Sequence, residues 1–329
     1  MADQTRATSL PAAERLRALA LRHETMLFLI LVASLAVLSA QSDRFLTTDN
    51  VLNQGRLMAE VALVALPMTF VIITGGIDLS VGSVLGLSAI VQGVAWKKLG
   101  LPLELATVVA ILTGSACGFF NGWFITRVKV PPLIMTLATL ALFRGLAEGI
   151  SQARSVRGYP EWFFTLGQGE VLGVPTQLWI LAVAIIGSWL VLARTTFGRS
   201  LYAIGHNETA ARFSGIPVAR YKLAIYTYSG TMAGFAGAIF VSRVSTTRSD
   251  MGTGLELDVI AAVVLGGTSI FGGIGTITGT VIGFVLIQLL KNGLAITGVK
   301  GDATIVVVGT VLIASILLTN FIQRRRGGD

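Results

Sequence analysis

The chain has 329 residues, 53% hydrophobic and only 13% charged, with a mean hydropathy of +0.76; a soluble domain typically carries about 25% charged residues, and one of this length would have to show water far more polar surface. Composition therefore excludes an ordinary soluble globule and points to an all-α polytopic protein solvated by lipid. The formal charge of +8 does not suggest a nucleic-acid partner, because the basic residues flank apolar runs, and one cysteine (Cys117) with two histidines (His23, His206) leaves neither a disulfide framework nor a metal centre to expect.

Residues 1–24 are polar and basic, and are read as a cytoplasmic N-terminal segment. A membrane span needs about 20 mostly apolar residues, and the run 25–41 is read as the first. It is not expected to be a cleaved signal: some 24 residues precede it, and Leu38, not a small residue, stands at −3 of a cut after Ala40. Further spans are expected at 57–74, 79–95, 104–126, 131–149, 176–193, 222–241, 257–271, 276–293 and 303–320, about ten in all within a membrane domain of residues 25–320. The pair 257–271 and 276–293 is threaded by glycines at 266–267 and 272–275. A re-entrant segment is the alternative there, because irregular backbone is tolerated at depth only when buried in protein or facing water. Residues 321–329 form a basic tail.

The charges give the bundle a direction. With the N-terminus inside, the inner segments hold 14 Lys/Arg and six acids, leaving 11 of each sign elsewhere. The Arg324–Arg326 tail and the basic 194–221 loop favour that orientation, with both termini cytoplasmic. Two loops are long. Residues 151–175 are expected outside with a surface helix, and residues 194–221 inside. In the inner loop Asn207 is a suitable N-cap, Glu208 suits the first-turn dipole, and Glu208 and Arg212 are spaced i,i+4. Gly215 and Pro217 end the segment. The resulting helix of about two turns is too short to stand alone in water. Its Ala210, Ala211 and Phe213 face should be buried on its own protein or against a cytoplasmic partner.

At this point three motifs carry a resemblance. Thr74-Gly-Gly-Ile-Asp-Leu-Ser-Val-Gly-Ser83 resembles the most distinctive motif of ribose-type ABC importer permeases. Gly205-His-Asn-Glu-Thr-Ala-Ala-Arg-Phe-Ser-Gly215 is similar to that family's coupling segment, and Val264–Gly279 to its third signature. The Ser242–Gly252 stretch looks like the rhamnose or autoinducer-2 permeases. The resemblance implies an ABC importer permease bundle in a bacterial inner membrane, with a short cytoplasmic coupling helix. It also implies a second permease copy or paralogue, ABC ATPase subunits below, a periplasmic sugar-binding protein above, and lipid around. Gly205, Asn207, Glu208, Ala210, Ala211, Arg212 and Gly215 would then couple to the ATPase. No Gly-x-x-x-x-Gly-Lys-Ser/Thr occurs, so the chain is not expected to be an enzyme or to bind a cofactor. ATP and Mg belong on the partner subunit.

The remaining polar residues have two readings each. Gly75, Gly76, Asp78, Ser80 and Asn121 are candidates for the substrate path, or Asp78 caps the following helix while Gly75 and Gly76 form a tight turn. Arg144 and Glu148 are spaced as an ion pair. Gln92, Trp123, Thr136 and Thr139 are other possible path groups for a neutral sugar. Rival functions are an ion-driven secondary transporter, which would want several buried carboxylates, a branched-chain amino-acid permease, and a membrane enzyme, for which no catalytic cluster is present.

Overall fold

In the structure, a computed structural model, the described residues are 23–43, 45–296 and the single positions 298, 303, 306, 309 and 310. The N-terminal segment through residue 22, the expected span 303–320 and the basic tail lie outside them, apart from those isolated positions. The helices are α1 (His23–Gln41), α2 (Thr48–Ile73), α3 (Val81–Lys97), α4 (Leu103–Trp123), α5 (Pro132–Ser151), α6 (Phe164–Gly167), α7 (Thr176–Arg194), α8 (Thr196–His206), α9 (Glu208–Phe213), α10 (Val218–Val244), α11 (Leu255–Leu265) and α12 (Ile277–Ile296). Six of the longer elements, α2, α4 with its extension, α5, α7, α10 and α12, are long and apolar enough to cross a membrane.

Burial sorts these helices by solvent. The most apolar window of α2 is 78% buried inside the protein, whereas that of α7 is 22% buried. Both sequences are hydrophobic, so α2 is a core helix, while α7, α5 and α4 turn most of their side chains outward. The core is built from α2, α3 and α10, with Leu63, Leu66, Ile73, Leu85, Ile90, Ile225 and Ile239 enclosed.

Helix packing at the centre depends on the absence of side chains. Where α4 crosses α10, a Cβ placed on Gly118 would lie 2.2 Å from the Tyr226 carbonyl oxygen, and one on Gly230 would lie 2.2 Å from that of Gly114. In lipid no hydrophobic force draws helices together, so close backbone approach of this kind supplies the dispersion energy instead.

Two interruptions depart from a simple bundle. The expected 257–271 span is not a spanning helix: α11 has 11 residues, about 16 Å of rise against a hydrocarbon core of roughly 30 Å. Glycine ends it at Gly266, and the chain runs irregularly to α12. Among the described residues six helices, not the ten expected spans, are long and apolar enough to cross a membrane. The second interruption is residues 74–80, between α2 and α3. Gly75 reaches the surface, but Asp78 there is 1% exposed and Ser80 fully buried, so the segment is an unwound junction whose polar side chains turn into the bundle.

On the face where α2 begins and α10 ends, residues 151–175 form a cover with little helix, a 3₁₀ turn (Glu161–Phe163) and the short α6. Strand β1 (Val156–Arg157) pairs antiparallel with β4 (Thr246–Thr247), and β2 (Glu170–Val171) with β3 (Val174–Pro175). The Ser242 hydroxyl donates to the Phe163 carbonyl at 2.5 Å, and Arg243 pairs with the buried Glu60 at 2.6 Å. Arg144 does not pair with Glu148. Its guanidinium donates to the carbonyls of Ser249, at 2.5 Å, and Met251, at 2.8 Å, latching the 245–254 segment over α3.

Gly118→Leu is expected to lower the thermal stability of the detergent-solubilised chain by an amount equivalent to about 1–3 kcal/mol or more, by overpacking the crossing. Gly187→Ala, on lipid-facing α7 with nothing within 4 Å of the added carbon, should leave it unchanged.

Candidate functional site

The inner loop folds as two consecutive helices. Residues 196–206, within the expected loop, form α8, capped by the Thr195 hydroxyl, which accepts from the Gly198 N–H at 3.3 Å. Its Leu201 and Ile204 turn inward and are buried. Helix α9 follows as expected: the Asn207 side chain accepts from the Ala210 N–H at 2.9 Å, Arg212 donates to Glu208 at 3.0 Å, and Gly215 ends the segment at φ +84°.

Of the apolar face of α9, the chain itself buries only part. Ala211 alone turns inward, packing with Ile204 and Val218. Ala210 is exposed, and Phe213 projects with 89% of its surface open. The anchor that holds α9 comes from 14 residues away: Lys222 at the start of α10 donates to the other Glu208 oxygen at 2.6 Å. Partial burial would raise the Glu208 pKa, but Lys222 and Arg212 outweigh it and hold the carboxyl below its ordinary value.

The end of α8 touches the bundle core. A Cβ on Gly205 would sit 1.9 Å from the Ile73 carbonyl oxygen and 2.4 Å from the Gly273 nitrogen. Only glycine permits that approach. The Gly273 N–H donates to the same Ile73 carbonyl at 2.8 Å, and the Tyr202 hydroxyl donates to Gly275 at 2.6 Å. Thus α8, the end of α2 and the 272–275 turn meet at one point, one residue before the unwound junction.

In the junction, Asp78 organises a buried polar cluster. One carboxylate oxygen accepts from the Ser80 N–H at 3.0 Å and the Ser80 hydroxyl at 2.6 Å; the other accepts from the Ser229 hydroxyl on α10 at 3.0 Å. The Asn121 amide of α4 donates to the Ser80 oxygen at 2.8 Å, and Thr136 of α5 donates to the Ile77 carbonyl at 3.1 Å. Gly75 takes φ +75°, and a Cβ on Gly76 would lie 2.5 Å from the Tyr226 hydroxyl. That hydroxyl and the Asn121 oxygen have no hydrogen-bond partner among the described residues.

Asp78, Ser80 and Asn121 therefore come together with Gly76. Asp78 does brace the start of α3, through Ser80, while also tying α3 to α10. Ser229 and Tyr226 were not foreseen, because a serine and a tyrosine in an apolar helix carry no positional signal until helix rotation is known. Gln92 is elsewhere, about 18 Å along α3 from Ser80 by helical rise, bound to Thr107 at 2.8 Å. Trp123 is exposed, and Thr139 bonds its own helix. No group of His, Cys, Asp and Glu among the described residues is arranged to hold a metal.

Asp78→Ala should lower thermal stability by about 1–3 kcal/mol for each donor it strands, more than Asp78→Asn, which keeps one acceptor. Glu208, with its lowered pKa, should hold α9 from neutral pH to below the ordinary carboxylate range, and release it only as pH falls through the depressed value. Hydrogen-exchange protection of residues 208–213, followed from pH 7 downward, checks this: loss already at pH 6 contradicts it.

Residues 50–316 match the family model described as branched-chain amino acid transport system / permease component. The ribose import permease protein RbsC of Bacillus subtilis strain 168 is 42% identical over 88% of this chain and 91% of its own. That of Escherichia coli K12 is 38% identical over the same shares. The autoinducer 2 import system permease protein LsrD of Escherichia coli O9:H4 strain HS is 36% identical over 89% of this chain and 91% of its own. No solved structure matches the chain. Matches that run through all three glycine motifs and nearly the whole membrane domain leave one conclusion: this multi-pass membrane protein belongs to the ribose-type ABC sugar importer permeases.

Proposed function

We propose that this chain is the non-catalytic permease subunit of an ATP-driven importer, moving a sugar or sugar-like solute across a bacterial inner membrane by alternating access. The observation that carries the reading is the contact of Gly205 with the Ile73 carbonyl and the Gly273 nitrogen. It gives α9 a rigid route, through α8, to the unwound junction.

The α8–α9 face is cytoplasmic in this reading, consistent with the excess of Lys/Arg on it and its flanks. The projecting Phe213 and Ala210 enter an ATPase subunit, while Glu208, held by Lys222 and Arg212, keeps the helix at a fixed angle. Closure of two ATPase subunits, which hold the ATP and Mg, displaces α9 and, through α8, the end of α2. The junction at Gly75–Ser80 then shifts against Asn121 and Ser229. Tyr226 and Asn121 carry unsatisfied polar atoms there, the kind of group a sugar hydroxyl would satisfy. Solute arrives from a periplasmic binding protein, and a second copy or paralogue of this chain completes the path.

In proteoliposomes with the ATPase and binding-protein subunits, labelled ribose is the first solute to try, with and without internal ATP. Uptake should need both ATP and the ATPase; uptake that persists without the ATPase and collapses with an uncoupler overturns the proposal in favour of ion coupling at Asp78. Glu208→Lys and Gly205→Val should each abolish ATP-driven uptake while the protein remains inserted and monodisperse. Undiminished transport in either removes the lever assigned to α8 and α9.

A further inference from the structure

A second polar site lies beside the lever, at the inner ends of the helices. A cavity of about 620 Å³ opens between the α4–α5 connection, α9 and the start of α10, and Arg127, Lys129, Arg212, Arg220 and Lys222 line it against a single carboxylate, Glu208. Five cations facing one acid leave a strong positive excess in a space of ordinary ligand-pocket size. Glu208 is already engaged by Arg212 and Lys222. Arg127, Lys129 and Arg220 make no ion pair among the described residues, so the cavity holds cations with nothing to neutralise them.

The wall that carries two of these cations is built, not floppy. Helix α4 ends in a π-helical turn, Phe124–Val128, and Lys129 then takes the left-handed conformation at φ 62°. Two prolines, Pro131 and Pro132, fix the entry to α5. A non-glycine residue held in that region persists only where its surroundings impose it, and π turns in helices are frequent at functional positions.

Exposed apolar side chains adjoin the lining residues Arg127, Lys129 and Pro132 in the chain. Leu133, Ile134 and Leu137 on the first turns of α5 are each more than half exposed, and Trp123 and Val128 are open on the adjoining end of α4. Cations at the helix ends above an apolar strip match the two halves of a phospholipid: a phosphate in the cavity and an acyl chain along α5. Basic pockets between helix ends bind anionic headgroups by the same combination.

We propose that this cavity binds the phosphate of an anionic phospholipid from the adjacent leaflet, and that the lipid joins the α4–α5 connection to the coupling helix. The site depends on membrane embedding and not on the sugar reading, so its test requires no transport.

The full-length chain is reconstituted in nanodiscs of phosphatidylcholine alone or mixed with phosphatidylglycerol, as wild type and as R127Q/K129Q/R220Q, and its Tm is measured. Phosphatidylglycerol should raise the wild-type Tm by several degrees. The triple variant should lose that gain while matching wild type in phosphatidylcholine. The charge-conserving R127K/R220K should keep it. Native mass spectrometry should show phosphatidylglycerol retained by wild type and depleted from the triple variant. An equal gain in the triple variant overturns the site. A gain reproduced by inorganic phosphate in phosphatidylcholine discs assigns a free-anion site instead, and a gain produced only by added ATPase subunit, lost in the variant, makes the cavity a protein-docking surface.

Discussion

In hydrocarbon, every backbone N–H and C=O without a partner costs several kcal/mol, and the architecture of this chain turns on that constraint. Helices are interrupted at two places that meet, 74–80 and 266–276, and one supplies a backbone partner for the other. The Gly273 N–H donates to the Ile73 carbonyl, a carbonyl at the end of α2 that no longer has a helical donor. Either break alone would leave orphan polar groups at depth. Together they form a braced contact in which the irregular backbone of one break satisfies the other.

The same brace holds the end of α8 against the unwound junction. Helix α8 abuts the two breaks at Gly205, and a methyl group there would separate the three segments by more than packing tolerates. The contact leaves no slack between α8, the end of α2 and the 272–275 turn, because packed interiors tolerate little added volume. The carboxylate of Asp78, taken out of water, is held by three donors from α3 and α10, with Asn121 of α4 behind them. That arrangement gives the junction a definite geometry and ties it to α4 and α10.

Much of this was legible in residue order. The caps at Asn207 and Gly215, the i,i+4 pair Glu208–Arg212, and the glycine-rich breaks around Asp78 and Gly266–Gly275 depend on contacts within a few residues, so local chemistry reveals them. Helix α8 was hidden because its short amphipathic run lies between charged turns and resembles a loop by hydropathy. The true partner of Arg144 was hidden for another reason: i,i+4 spacing makes Glu148 reachable, but the buried carbonyls of Ser249 and Met251, more than a hundred residues away, offer a drier and fixed pair of acceptors.

The sequence by itself determined that the chain lives in lipid, where its helices break and which loop presents a capped helix, because hydrophobicity, glycine and capping act at short range. Which hydrophobic helices face lipid and which form the core was decided only by the tertiary structure, since in a membrane both are equally apolar and no period separates α2 from α7. The meeting of Asp78, Ser80, Asn121 and Ser229, and of Gly205 with Ile73 and Gly273, was likewise decided there. Those groups come from helices distant in sequence, and their encounter is fixed by helix rotation and close glycine crossings that no local pattern encodes.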